Sequence, residues 1–333
     1  MNSKKWFYTT LSISFLSYLI VLIVYIVIDP EIVFNNSLTD KKFGYTKYHS
    51  KYQFDKLKSK QYTLIFGTSR SQKLSSSALK RDILNFHDIY GEPDDILNFL
   101  SQLNEKQLNN IKHIYYLISI HTMTDEISKL NYKSNSFIDK LAYILPLSSL
   151  SMKRTLKDLK FNFLKNSIYY YIDDDGSLYV NDQNQSVVLN KKNISKPAIN
   201  TIKKNNSIKK LLQVNNFCKK NNLPITYYTP TYSDKFLIDV ETVNYLWTKL
   251  LDGGINEFYT LYYIDGISDN KSNNQYYNFT NESHLNYTTM NKVFQDIVLD
   301  KDNTRLISNK DELSIRMNTL RLKVKNYASN HHF

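Results

Sequence analysis

At 333 residues and 42% hydrophobic content, the chain can build one large α/β domain with insertions or two small domains. Its formal net charge of +12 suits nucleic acid, an anionic membrane surface or an acidic polymer. Nucleic acid is disfavoured, because the lysines are scattered in pairs without zinc-ligand spacing or an RNA-binding signature. The single cysteine, Cys218, excludes an internal disulfide and cannot by itself hold a metal.

The first predicted element is an uncharged run over residues 6–28, preceded by Lys4-Lys5 and closed by Asp29-Pro30-Glu31. At 1.5 Å per residue it spans roughly 34 Å, against about 30 Å for a bilayer core. It is too long for the core of an ordinary signal peptide and no small-x-small cleavage site follows it. It therefore reads as an uncleaved single-pass anchor, with residues 1–5 as a cytoplasmic tip. Lys41, Lys42 and Lys47 offset Lys4, Lys5 and the amino terminus, so charge alone leaves the orientation close to a tie. Residues 29–60 read as a polar, lysine-rich neck.

A domain is expected over 61–300. Tyr62-Thr63-Leu64-Ile65-Phe66 runs into Gly67-Thr68-Ser69-Arg70-Ser71, the pattern of a buried strand that ends abruptly in a polar turn. Ser75, Ser76 or Ser77 then caps a helix. Residues 82–89 read as a short strand leading to Tyr90-Gly91-Glu92-Pro93. Residues 94–108 read as an amphipathic helix with apolar residues at 96, 99, 100 and 103 on one face. Residues 111–120 are the clearest strand after the first, apolar enough to lie centrally in a parallel sheet, and the pair suggests a right-handed βαβ unit.

Between about 125 and 195 the pattern changes to that of an insertion over the sheet. Helices are expected at 136–145 and 150–164, and a hairpin turning at Asp173-Asp174-Asp175-Gly176. That acidic run lacks EF-hand spacing and a closing glutamate, so no metal is assigned to it. A basic helix over 206–222, a strand over 223–229, the turn Pro230-Thr231-Tyr232, a helix over 240–251 and a final strand over 257–264 follow. A loop carrying His284 then precedes a helix over 288–299, and 301–333 reads as a C-terminal surface helix and tail. Tyrosine is abundant throughout (27 residues), so Tyr169-Tyr170-Tyr171 carries little weight as a sugar platform.

The early Gly67-Thr68-Ser69-Arg70 turn and the late Asn281-Glu282-Ser283-His284 loop together resemble the SGNH/GDSL hydrolase superfamily. With the apolar segment, Asp29-Pro30 just after it and the Phe66-Gly67-Thr68-Ser69-Arg70 block, the order is similar to membrane-anchored SGNH-like proteins of bacterial envelopes. The resemblance implies a three-layer, flavodoxin-like α/β domain with a mostly parallel sheet of about five strands, held outside the cytoplasm and needing no cofactor. It implies Ser69 as nucleophile and His284 as base. The family's aspartate three residues before the histidine is replaced by Asn281, and Glu282 beside it is the other group able to orient the ring. The backbone N–H groups of Ser69 and Gly91 are the expected oxyanion donors. The family's Gly-x-Asn-Asp block reads Ser119-Ile120-His121-Thr122-Met123, which leaves the His121 ring as a further donor. The implied chemistry is ester hydrolysis or O-acyl (acetyl) transfer on a cell-surface polysaccharide, with a membrane protein as acyl donor in the case of transfer. The rival reading is a non-catalytic envelope module that keeps the fold to bind glycan or to assist assembly.

Overall fold

The computed structural model describes residues 3–29, 47–87, 91–124, 193–265 and 278–331 except Glu282, with isolated residues between 153 and 188 and at 267 and 275–276. The expected helices at 136–145 and most of 150–164 lie outside the described residues. Helix α1 (Ser3–Ile28) has 26 residues and at 1.5 Å each covers about 39 Å. Trp6, Phe7, Leu16 and Ile20 stand exposed along it. Among the described residues it is the one helix long and apolar enough to cross a membrane.

The stretch read as a neck departs from that reading in its second half. Helix α2 (Lys47–Lys56) is followed by Leu57, and both Phe54 and Leu57 are buried in the main core. Gln53 is fully buried and donates to the carbonyls of Asn85 (3.2 Å) and Asp175 (2.7 Å), while Gln107 and Asn110 donate to the carbonyls of Phe54 and Leu57. Gln53, Phe54 and Leu57 thus join this lysine-rich segment to the domain.

The central sheet has six strands: β1 (Tyr62–Gly67), β2 (Ile83–His87), β3 (Ile111–Leu117), β4 (Ile225–Tyr228), β5 (Phe258–Tyr259) and β8 (Leu306–Ile307). From one edge to the other they run β2, β1, β3, β4, β5, β8. The first five are mutually parallel and β8 pairs antiparallel with β5. A two-residue strand shows no periodicity, which is why β8 adds one strand to the number expected. Strand β1 alternates as a strand buried on both faces must: Leu64 and Phe66 join one hydrophobic core and Ile65 the other. On the first face, α4 (Pro93–Gln102), α6 (Ser207–Lys220) and α7 (Val240–Asp252) supply Phe99, Leu211 and Trp247. On the second, α8 (Tyr287–Val293) and its wider-turned continuation Phe294–Leu299 supply Met290, Phe294 and Val298.

Three local readings are corrected. The helix expected over 94–108 is two, α4 and then α5 (Glu105–Asn109), because Asn104 starts a new helix with a capping box: its side chain accepts from Gln107 N–H and Gln107 returns a bond to the Asn104 N–H. The strand expected over 257–264 stops at Tyr259, because beyond it Thr229 Oγ1 takes the Leu261 N–H (2.8 Å) and Thr231 Oγ1 bonds the Leu261 carbonyl. These hydroxyls replace ladder partners. The C-terminal stretch is not merely a surface helix: α9 (Lys310–His331) buries Leu313, Met317 and Leu320. The hairpin is present, with Tyr170–Ile172 antiparallel to Leu178–Val180, and it docks on the open edge of β2 through Asn85 N–H to the Asp175 carbonyl (2.7 Å).

Phe66, Phe86 and Phe99 hold β1 and β2 against α4, with ring centroids 4.8 to 5.7 Å apart. Phe99→Ala is expected to cost about 3–5 kcal/mol, the range for emptying a buried aromatic position. Leu322→Ser, on the exposed face of α9, is expected to stay within about 0.5 kcal/mol. Urea unfolding followed by circular dichroism checks both.

Candidate functional site

The order β2, β1, β3, β4, β5 reverses direction between β1 and β3, the place where an open parallel sheet leaves a crevice at the carboxyl ends of its strands. Ser69 follows β1 at that point. Gly67 lets the chain turn there, since a Cβ on it would stand 2.7 Å from Ser71 Oγ and 2.8 Å from Leu117 Cβ. The turn closes with Ser71 N–H and Ser71 Oγ both donating to the Thr68 carbonyl (2.8 and 2.9 Å).

Two carboxamides pin the loop that follows. Asn85, fully buried on β2, donates to the carbonyls of Ser71 (2.9 Å) and Leu74 (2.8 Å) and accepts from the His87 N–H (3.1 Å). Asn291 on α8 donates to the Lys73 carbonyl (2.8 Å) and accepts from the Ser75 N–H (3.2 Å). Lys73, itself buried, donates from Nζ to the Leu285 carbonyl (2.9 Å). The serine loop is thus tied to the segment that carries the histidine.

That segment is a hairpin rather than a plain loop, with β6 (Phe279–Asn281) antiparallel to β7 (His284–Leu285). Asn286 caps α8 by accepting from the Thr289 N–H (2.7 Å) and so fixes the step from hairpin to helix. The structure brings Ser69 Oγ to 2.8 Å from His284 Nε2, across 215 residues of chain. On the other side of the ring, His284 Nδ1 lies 2.8 Å from Asn281 Oδ1.

The tautomer follows from Asn281. Its Oδ1 also accepts from the Ser283 backbone N–H at 3.0 Å, and a backbone N–H can only donate. The amide therefore presents oxygen to the ring, Nδ1 carries the proton, and Nε2 is left as an acceptor for the Ser69 hydroxyl. Burial pushes the His284 pKa down to about 3, and the charges of Arg70, Lys73 and His121 push it the same way. The ring is neutral at every pH of physiological interest.

The remaining expected residues fall as follows. Gly91 backs onto the serine turn: a Cβ there would lie 3.3 Å from Thr68 Cγ2 and 3.5 Å from the Gly67 carbonyl, and its own carbonyl accepts from the Tyr116 hydroxyl (2.8 Å). Among the described residues, no hydrogen bond occupies the backbone N–H of either Ser69 or Gly91. His121 is exposed at the first turn after β3, close enough for its charge to act on His284. Glu282 lies outside the described residues. No cluster of three metal-ligating side chains occurs among the described residues, and the Asp175 carboxylate accepts instead from the Ser76 and Ser177 N–H groups. Asn85, Asn291 and Arg70 were not foreseen as site residues. Only Asn85 had a local signal, a carboxamide inside an otherwise apolar strand.

Comparison with protein-family models, curated proteins and solved structures returns no match for the chain.

Replacing the orienting carboxylate of a serine triad by an amide costs about 10⁴ in rate where the amide selects the wrong tautomer. Here the Ser283 N–H holds the amide oxygen toward Nδ1, and Asn281 itself carries no charge. Asn281→Asp should restore it, raising hydrolysis of a small acetyl ester at pH 8 by about tenfold or more. The wild-type rate should stay level from pH 8 to pH 5, because the ring remains unprotonated until about pH 3. In Asn281→Asp the raised histidine pKa should bring an acidic fall in rate into that range. Asn281→Ala should lose activity. Equal indifference to both substitutions in the pH–rate profile would mean that residue 281 does not orient the base.

Proposed function

We propose that this chain is an SGNH-type serine esterase or O-acyltransferase acting on a cell-surface polysaccharide, with its domain tethered outside the cytoplasm by α1. The observation that carries the proposal is the Ser69 Oγ to His284 Nε2 hydrogen bond of 2.8 Å, with Asn281 holding the opposite nitrogen. A three-layer flavodoxin-like fold is the reading best supported by the 2-1-3-4-5 strand order and by a separate hydrophobic core on each sheet face. Membrane tethering rests on the length and apolarity of α1.

In this mechanism Ser69 Oγ attacks the acyl carbonyl while its proton passes to His284 Nε2. Charge collects on the carbonyl oxygen, where the uncommitted N–H groups of Ser69 and Gly91 are the available donors. Collapse of the tetrahedral intermediate expels the leaving group of the acyl donor, a sugar oxygen in hydrolysis and the membrane partner's leaving group in transfer, and that group takes the proton back from His284. Water or a second sugar hydroxyl then attacks the acyl-serine with His284 again as base. The first outcome is hydrolysis and the second is transfer, in which a membrane partner would deliver the acyl group. Neither needs a cofactor.

The neutral amide at position 281 and the depressed histidine pKa favour the alternative, a module that keeps this fold to bind glycan without turnover. A fluorophosphonate separates the two readings. Labelling of the full chain in native membranes should occur at Ser69 and disappear in Ser69→Ala and His284→Ala, with slow hydrolysis of a small acetyl ester following the same pattern. Folded protein that stays unlabelled in its membrane would sink the enzyme reading and leave the binding module.

A further inference from the structure

Arg70 follows Ser69 in the turn after β1, and its side chain packs on an aromatic ring. The guanidinium lies over the Tyr232 ring, 5.4 Å from the centroid. Tyr232 is itself buried and stacked on Phe236 (4.4 Å) and Tyr262 (6.0 Å), so it forms a rigid seat. Arg70 Nε is buried without an acceptor, and among the described residues no carboxylate pairs with this arginine. Arg305 and Arg321, by contrast, are paired with Asp265 and Glu241.

Arg70 as a whole is only half-buried, but its Nε is buried without an acceptor, and leaving a buried donor unmet is costly. The Tyr232 face offsets part of that cost through a cation–π contact. The Nε–H is left without an acceptor, and it belongs to one edge of a planar fork whose geometry matches the two oxygens of a carboxylate or phosphate.

We propose that Arg70 is the anion-binding residue of the Ser69 site, and that the substrate is an acyl ester on a glycan bearing an oxyanion, a carboxylate or a phosphodiester, beside the ester. The proposal rests on the functional reading of Ser69 given above and adds the substrate class. It gives the chain's charge of +12 a local use. It also offers an account of Asn281. Lys73 and His121 add to Arg70 in opposing protonation of His284, and an anion seated on Arg70 would counter that field while the substrate is bound. The bound substrate would then provide the negative charge that Asn281 lacks, although from the other side of the ring.

The test measures binding separately from turnover. Full-length Ser69→Ala protein in detergent is titrated calorimetrically with an O-acetylated hexuronate oligosaccharide, an O-acetylated sugar phosphodiester and an O-acetylated neutral glucoside. At least one anionic ligand should bind about tenfold or more tightly than the neutral one, the size expected of a charge-assisted pair, and added salt should shrink the ratio. The better anion identifies the oxyanion. Arg70→Gln in the same background should bring the ratio to about one, with Arg70→Lys in between because it keeps charge and loses the fork. The ratio is read first with Arg70 intact, so a variant that does not fold leaves the test standing. Equal affinity for charged and neutral ligands would overturn the proposal, as would a preference that survives both Arg70 substitutions. Turnover by the unsubstituted protein is read alongside. Anion preference without turnover strikes the esterase reading and keeps the anion site, while turnover without preference strikes the anion site alone.

Discussion

The hydrogen bond between the Ser69 hydroxyl and His284 Nε2 is the contact on which the functional account depends, and it is demanding to build. Neither side chain belongs to a long element: Ser69 sits on the turn after β1, and His284 opens the two-residue strand β7. Turns hold a side chain to a few tenths of an ångström only when their backbone polar groups are tied elsewhere. Asn85 and Asn291 do this from opposite sides, one from the sheet and one from the helix behind the histidine hairpin. Lys73 bridges the two segments directly by donating to the Leu285 carbonyl. A loop fixed from both sides loses little further entropy when it meets a substrate, which is the physical meaning of a preorganised site.

The sheet sets the coarse geometry and the polar bonds set the fine geometry. Five parallel strands with a reversal beside β1 place the serine turn at a crevice, and the close approach of Gly67 to Leu117 seats that turn on β3. Orientation of the His284 ring is a third layer of control. It rests on a neutral amide whose oxygen is aimed by the Ser283 N–H, so this site keeps the tautomer of a serine triad without its negative charge. Arg70, Lys73 and His121 all oppose protonation of that ring.

Much of this was legible in the sequence, and the reasons are local. An apolar, β-branched run ended by glycine announces β1 and its turn, while the division of Leu64 and Phe66 from Ile65 between two faces is seen only in the packing. The apolar face at 96, 99, 100 and 103 is likewise buried. Errors arose where polar side chains replaced regular backbone bonds. Asn104 and Gln107 restarted a helix that apolar periodicity carried straight through, and Thr229 and Thr231 ended β5 early. Gln53 and Phe54 drew a charged segment into the domain for the same kind of reason. The clamps on the serine loop had no signal in the chain around the serine, because Asn291 stands 218 residues away from the Lys73 carbonyl it holds. Ser69 and His284 were found by resemblance of two short blocks, and their contact is a property of the folded chain alone.

The central claim is that Nδ1 of His284 carries the proton and leaves Nε2 to accept from Ser69. The most direct measurement is the ¹⁵N spectrum of the ring in protein labelled at histidine, with His284→Ala used to assign its signals. The account predicts a neutral ring protonated at Nδ1 from pH 8 down to pH 5, with an Nε2 shift that moves when Ser69 is changed to alanine. A ring protonated at Nε2, or an imidazolium already present at pH 6, would contradict it.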